Sequence, residues 1–155
     1  MSKAKSRAGQ RRTSGFSLIE LMIVVVIVAI LSSIAYPSYL NQVTQARRVD
    51  AQAVLMDATQ FMERFYTENN RYDQDTGGTA VALPAQLRES PRDSGTKSYD
   101  ITVQAATAST YTLQATPKNA QAGDGFIQIT NTFAKGWDSD SSGALSAAEQ
   151  TWSQH

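Results

Sequence analysis

The stretch that decides the fold runs from Gly15 to Leu31 and reads GFSLIELMIVVVIVAIL. Continued to Tyr36, it contains a single charged residue, Glu20. At about 1.5 Å rise per residue, the twenty-one residues from Phe16 to Tyr36 span roughly 31 Å as a helix, which is enough to cross the hydrocarbon core of a bilayer. Many of these residues are β-branched, but a segment in lipid must satisfy its own backbone hydrogen bonds. The sequence therefore predicts a membrane-spanning helix over residues 16–37.

Residues 1–15 form a leader with five basic side chains and no acidic one. The positive charge predicts that this leader lies on the cytoplasmic side and that the remainder of the chain lies outside. An ordinary secretory signal is cleaved after its apolar core. Here the sharp junction, Ser14-Gly15-Phe16, precedes the core, so cleavage there removes the leader and leaves the apolar helix on the mature protein.

The composition excludes several classes of function. Without the leader, nine basic side chains face fourteen acidic ones, which argues against polyanion binding as the main task. The chain has no cysteine, so it has no disulfide, thiolate metal ligand or thiol nucleophile. Its one histidine, His155, is the last residue, and no nucleophile–base set or phosphate-binding glycine loop is apparent. We therefore expect a protein that is not an enzyme.

Beyond the apolar segment the chain becomes amphipathic. Pro37 lacks a backbone donor and is predicted to kink or soften the helix. The helix is then predicted to continue to Asn69-Asn70, where turn-forming residues begin. Its core face is predicted from apolar residues near helical spacing, with Met62 beside them: Leu40, Val43, Val54, Ala58, Phe61 and Phe65.

The second half of the chain changes to a period of two. Residues 73–97 are rich in Asp, Gly, Thr, Pro and Ser and are interpreted as a long surface connection. The link at 106–109 is short enough for a hairpin, and residues 117–125 form a longer loop. The pattern predicts an α+β fold, in which one long helix packs on an antiparallel sheet of about four strands within a domain spanning 38–155. Alternating apolar residues mark strands at 101–105, 111–115 and 127–129.

The N-terminal junction and helix strongly resemble those of the type IV pilin family. Residues 47–72 resemble the pilin helix that ends in an Asn-x-x-Tyr turn, and residues 98–117 resemble the first pilin hairpin. The resemblance implies that prepilin peptidase cuts after Gly15 and that Phe16 becomes the methylated new terminus. It also implies an assembly role for the helix, carried by Phe16, the acid Glu20 and the helix-softening Pro37.

The resemblance implies a structural subunit, major or minor, of a bacterial type IV pilus. Such a subunit crosses the inner membrane once before assembly and is afterwards part of an extracellular filament, with a role in adhesion or twitching motility. Its expected partners are other pilin subunits, prepilin peptidase and the pilus assembly platform. Two alternatives stay open, a pseudopilin of a type II secretion system and a DNA-uptake receptor minor pilin.

Two features bear on these alternatives. The arginines at 47–48, 88 and 92 could contact DNA, but on a net acidic domain we expect inter-subunit salt bridges or plain surface, and a nucleic-acid partner is not expected. Many pilins close the C-terminal region with a disulfide whose second cysteine precedes a tryptophan. This chain departs from that pattern, since Thr151-Trp152 occupies the place without any cysteine.

Residues 138–149 read DSDSSGALSAAE and match an EF-hand calcium loop. Gly143 would form the sharp turn and Leu145 the apolar plug. Two other interpretations are a solvated acidic loop and a capping box between Ser146 and Glu149. Trp137 and Trp152 flank the loop and are interpreted as packing anchors. The predicted calcium ligands are Asp138, Asp140, Ser142, the carbonyl of Ala144, Ser146 through water, and Glu149.

Overall fold

The computed structural model of the chain describes residues 15–152. The predicted leader before Gly15 and the terminal His155 lie outside these residues. The chain divides into two units, one ending at Leu40 and one beginning at Asn41.

One helix, α1, extends from Leu18 to Asn69 and contains 52 residues. It includes Pro37 in its interior, so the helix continues through the proline and lacks one backbone donor there. Its end at Asn69 agrees with the sequence prediction. Asn70 follows in the left-handed region with φ 55° and donates its backbone N–H to the carbonyl of Tyr66 at 2.7 Å, which closes the last turn.

The second unit contains a five-stranded antiparallel sheet in which every strand pairs with its neighbours in sequence. The three alternating runs all form strands, and the four-residue link between β2 and β3 makes the predicted hairpin. Its register shifts by one residue between Val103 and Ala105. The strands are β1 (Glu89–Ser90), β2 (Tyr99–Ala106), β3 (Tyr111–Pro117), β4 (Ile127–Thr130) and β5 (Lys135–Trp137).

The later part of α1 packs against one face of this sheet in a single apolar core. Each large side chain buried there contributes about 1.5–3 kcal/mol relative to exposure. The helix face is displaced from the predicted stripe, because Phe61 and Phe65 are only partly buried whereas Met62 is fully buried. The buried residues of the helix are Ala51, Val54, Leu55, Ala58, Thr59 and Met62, and those of the central strands include Tyr99, Ile101, Tyr111, Leu113, Ile127 and Ile129.

Residues 73–97 are more structured than a surface connection. They include a turn of 3-10 helix at Ala85–Leu87, the edge strand β1, and buried side chains at Leu83, Leu87 and Ser90. A strand of two residues is too short to produce an alternating pattern. The short strands β1 and β5 join the three strands located from the sequence, so the sheet has five strands where about four were predicted.

Candidate functional site

The first candidate site is the start of α1. Gly15, Phe16 and Ser17 precede the helix, which begins at Leu18, and the side chain of Phe16 is 76% exposed. Glu20 lies in the first helical turn, where a carboxylate interacts favourably with the unsatisfied N–H groups and the helix dipole. Gly15 and Phe16 therefore lie outside the helix, directly before its first turn.

The apolar side chains that follow have no cover within the described chain. Every residue from 18 to 40 is exposed, including the run Val24–Val28. By length and composition this part of α1 is apolar enough to cross a membrane, since the mean hydropathy of its most apolar 18 residues is 2.8. An uncovered apolar surface of this length requires lipid or other helices around it.

The second candidate site is the loop after β5. The carboxylate groups of Asp138, Asp140 and Glu149 converge there, with one oxygen from each within 4.8 Å of the others. Asp138 and Glu149 are buried, and Asp140 is exposed. The structure thus brings together the three acidic residues that the sequence pattern selected.

Asp138 organises the first half of this loop. Its Oδ1 accepts the backbone N–H of Ser142 at 2.9 Å, and its Oδ2 accepts that of Gly143 at 3.0 Å. Gly143 has φ 85°, a conformation that a residue with a Cβ rarely adopts, so glycine is required at this turn. The hydroxyl of Ser142 donates to Ala144 O at 3.0 Å and lies 3.3 Å from Asp138 Oδ1, which links three of the predicted ligands.

Glu149 organises the second half. Its Oε1 accepts the backbone N–H of Ser139 at 2.6 Å, and its Oε2 accepts the backbone N–H and the hydroxyl of Ser146 at 3.0 and 2.9 Å. These hydrogen bonds, led by the one from the Ser146 backbone, lower the pKa of Glu149 to about 2. Ser146 and Glu149 form the capping box that was the alternative interpretation, although it opens only the 3-10 turn Ala147–Glu149.

Two glycines hold the loop against the sheet, and sequence reasoning did not single them out. A Cβ on Gly136 would lie 2.1 Å from Cδ1 of Leu145, so the predicted plug packs directly on this glycine. A Cβ on Gly125 would lie 1.6 Å from the carbonyl oxygen of Asp138. Both contacts depend on how the loop folds back on the sheet, which explains why no local sequence pattern revealed them.

A buried polar network centred on Asp124 connects the neighbouring loop to α1. The carboxylate accepts hydrogen bonds from the Arg48 guanidinium, from the hydroxyl of Tyr99 and from the amide of Gln121, the last at 2.9 Å. The guanidinium also lies 3.5 Å from the ring centroid of Trp137, whose Nε1 donates to Asp124 O at 2.7 Å. Burial, and then the hydrogen bond to Asp124, raises the pKa of the Tyr99 hydroxyl well above its usual range. Trp137 therefore acts as a packing anchor, as predicted.

The other predicted features fall as follows. Trp152 donates its Nε1 to Gln128 O at 3.1 Å and is likewise packed against the core. Arg88 donates to Leu83 O at 2.7 Å, and Arg92 pairs with Asp57. Of the arginines considered for DNA or neighbouring subunits, Arg47 alone makes no ion pair, hydrogen bond or ring contact among residues 15–152.

These features define a class of protein. Its domain consists of a helix packed on an antiparallel meander, and the same helix begins with an apolar segment of membrane-spanning length. A model of prokaryotic N-terminal methylation motifs matches residues 10–36. A model of the family described as type IV minor pilin ComP, DNA uptake sequence receptor, matches residues 37–128, which is more than half of the chain. The chain belongs to the type IV pilin family.

Two relatives in sequence agree with this assignment. The type IV wide pilus major component PilA4 of Thermus thermophilus is 31% identical over 105 residues, covering 68% of this chain and 74% of that protein. The type II secretion system core protein G of Aeromonas hydrophila is 33% identical over 88 residues, covering 52% and 62%. The crystal structure of the non-core minor pilin PilV of Neisseria meningitidis superposes with a TM-score of 0.47 at 16% identity, covering 61% and 85%.

The comparisons confirm the resemblance that the N-terminal junction indicated. The chain is a pilus-type structural subunit, and the pseudopilin and DNA-receptor alternatives are consistent with the same relatives. The descriptions of these relatives name pilus or secretion-system components and no enzymatic activity.

Proposed function

We propose that the chain is made as a prepilin, cut by prepilin peptidase between Gly15 and Phe16, and assembled through α1 into a type IV pilus. The observation that carries this proposal is the coincidence of the methylation motif with the apolar part of α1, residues 18–40, in which every residue is exposed. Before assembly the lipid of the inner membrane covers that surface. In the filament, the helices of other subunits, delivered by the assembly platform, replace the lipid.

Glu20 is the one charged residue of the apolar segment that moves from the membrane into the filament. A carboxylate at the centre of a bilayer costs about 2.5–3.5 kcal/mol on insertion scales, but Glu20 lies only four residues after the new terminus, near one membrane surface. In a filament core the carboxylate needs a counter-ion, because burying an unpaired charge is strongly unfavourable. The terminal amine of a neighbouring Phe16 is the natural partner.

The test is the recovery of pili from cells that express variants of the full chain. Glu20→Ala should insert and be processed normally, since loss of a charge makes insertion easier, but it should be incorporated poorly into sheared filaments. Ser32→Ala, within the same apolar helix, is the matched control and should assemble normally. Wild-type amounts of the Glu20→Ala protein in filaments would contradict the assembly role.

A DNA-uptake receptor is the second candidate, because the matching family model carries that description. The excess of acidic over basic residues in the mature chain opposes it, since phosphate contacts need clustered Lys and Arg. A gel shift with detergent-solubilised full chain separates the two. Binding that survives excess unrelated DNA supports the receptor function, and no shift at low salt contradicts it.

A pseudopilin is the remaining alternative, supported by the similarity to type II secretion core protein G. Deletion of the gene distinguishes the two machines. Loss of surface pili with normal protein secretion supports a pilus subunit. Loss of secretion with intact pili supports a pseudopilin.

We also propose that the loop 138–149 binds calcium. Calcium takes oxygen ligands at 2.3–2.6 Å, so two ligands on opposite sides of the ion lie about 4.6–5.2 Å apart. The oxygens of Asp138, Asp140 and Glu149 lie within 4.8 Å of one another, which is compatible with one ion. Glu149 would have to exchange some of its hydrogen bonds to the loop for the metal, so weak binding is expected. Calorimetric titration of metal-free protein tests this proposal, and absence of heat at millimolar calcium contradicts it.

A further inference from the structure

A pocket of about 510 Å³ lies between α1 and the loop that follows β1. The helical wall consists of residues at i, i+3, i+4 and i+7, so all four lie on one helix face. The opposite wall is formed by residues 90–94. The helix residues are Asp50, Ala53, Val54 and Asp57.

The pocket is acidic and incompletely paired. Asp57 pairs with Arg92 at its rim. The other two carboxylates, those of Asp50 and Asp93, have no ion pair among residues 15–152. Three carboxylates and one guanidinium line the pocket, and the ammonium of Lys97 donates to the carbonyls of Pro91 and Arg92 beside it. An excess of one negative charge remains, so the pocket attracts a cation.

Ser90 supplies an independent indication of a ligand. This residue lines the pocket and is 0% exposed, and its Oγ has no hydrogen-bond partner. A buried hydroxyl without a partner is unfavourable. An N–H group that entered the pocket from outside would satisfy this oxygen.

The geometry favours a cationic side chain over a metal ion. Within residues 15–152, the three acids of the C-terminal loop are the group whose carboxylate oxygens lie close enough to hold one ion, and the pocket's acids form no such group. Ala53, Val54 and Pro91 give the pocket apolar surface as well as charge. An arginine combines an apolar stem with five N–H donors, so it fits both the apolar surface and the carboxylates of the pocket.

The chain itself supplies a matching residue, Arg47. Each of the other basic side chains among residues 15–152 has a hydrogen bond, an ion pair or an aromatic ring as partner. Arg47 has none of these. It lies seven residues before Val54, so a second copy moved by about 10 Å along the helix direction would bring its Arg47 level with the pocket. The partnered residues are Arg48, Arg64, Arg71, Arg88, Arg92, Lys97, Lys118 and Lys135.

We propose that this pocket is a subunit–subunit contact that receives Arg47 of a second copy of the chain, between Asp50 and Asp93 and against Ser90. The inference rests on the proposed function, since it requires that the chain polymerises. Because the second copy is displaced along the helix direction and is not turned about a two-fold axis, the contact is head-to-tail and repeats along a filament.

Charge reversal tests the pairing. Arg47→Glu should reduce the amount of sheared pili by roughly tenfold or more. The free-energy cost of two like charges at an interface exceeds the free energy that corresponds to a tenfold change in an equilibrium constant. Combining it with Asp50→Arg and Asp93→Arg should restore filaments. Arg64→Glu, on the same helix outside the pocket, is the matched control and should assemble normally. Wild-type assembly of Arg47→Glu, or no recovery in the combined variant, would overturn the proposal.

Cross-linking separates this proposal from the proposed function. The chain has no cysteine, so Arg47→Cys with Asp93→Cys introduces the only thiols. A short bismaleimide added to intact pili should give a ladder of covalent oligomers, whereas Arg64→Cys with Asp93→Cys should give none. Pili without the ladder overturn the pocket contact and leave the pilus function standing. If the unaltered chain enters no filament, the pilus function fails, and the pocket contact fails with it.

Discussion

The Asp124 network allows a quantitative prediction about the stability of the second unit. The side chains of Arg48 and Asp124 are only 13% and 8% exposed, and all partners of the carboxylate, Tyr99 and Gln121 included, donate hydrogen bonds to it. In Asp124→Asn the amide would place its own N–H groups against these donors and leave the guanidinium without a counter-ion. Removing one member of a buried ion pair costs about 3–5 kcal/mol.

The matched control is Asp57→Asn, which breaks a pair whose members are 38% and 45% exposed. Exposed pairs contribute about 0.2–1 kcal/mol. For a unit of this size, 1 kcal/mol corresponds to roughly 4 °C in Tm. We therefore expect Asp124→Asn to lower Tm by about 12–20 °C and Asp57→Asn by at most about 4 °C.

The assay is thermal unfolding of the detergent-solubilised full chain, followed by circular dichroism, with each variant measured beside the unaltered protein. The buried network predicts a large difference between the two Asp→Asn variants. Equal shifts would refute the reasoning, because they would mean that burial of the Arg48–Asp124 pair does not change the cost of breaking it.

Three further predictions concern processing, calcium and alkaline pH. Gly15→Leu should leave the leader attached, and mass spectrometry of the membrane fraction would detect a normal mature terminus if the glycine were not required. With a Kd of about 0.1 mM, 1 mM calcium should stabilise the chain by about 1.4 kcal/mol, and the difference in Tm between calcium and EDTA should vanish in Asp138→Ala but persist in Ser139→Ala. Burial and a hydrogen bond to Glu63 raise the pKa of Tyr72 from 10.0 to about 12. The stability that the neutral Tyr72 hydroxyl contributes to the fold is therefore complete below pH 10 and is lost as the pH rises towards 12. Glu63 also accepts a hydrogen bond from Tyr111, so an absorbance titration of Glu63→Gln should show both phenols ionising at lower pH, and an unchanged curve would contradict the assignment.

The sequence by itself determined the features that depend on local pattern. The twenty-one nearly uncharged residues that follow the basic N-terminal residues define a helix of membrane-spanning length independently of the rest of the chain, because lipid permits no other single-segment structure. The alternating runs that became β2, β3 and β4 were recognised because each strand exposes one face and buries the other. The acids of the C-terminal loop were found because the EF-hand calcium loop is defined by the spacing of its ligands along the sequence.

Only the tertiary structure decided the contacts between distant segments. Asp124, Tyr99 and Arg48 meet across as many as 76 positions of sequence, and no local period places them together. Likewise, the sequence places Ser90 in a polar connection. Only the structure, in which β1 pairs with β2, places this residue in a pocket beside α1. The physical reason is that a repeating pattern reports which face of an element is buried, whereas the pairing of buried charges depends on which elements pack together. That packing is fixed by the sum of all core contacts, none of which is visible in a short stretch of sequence.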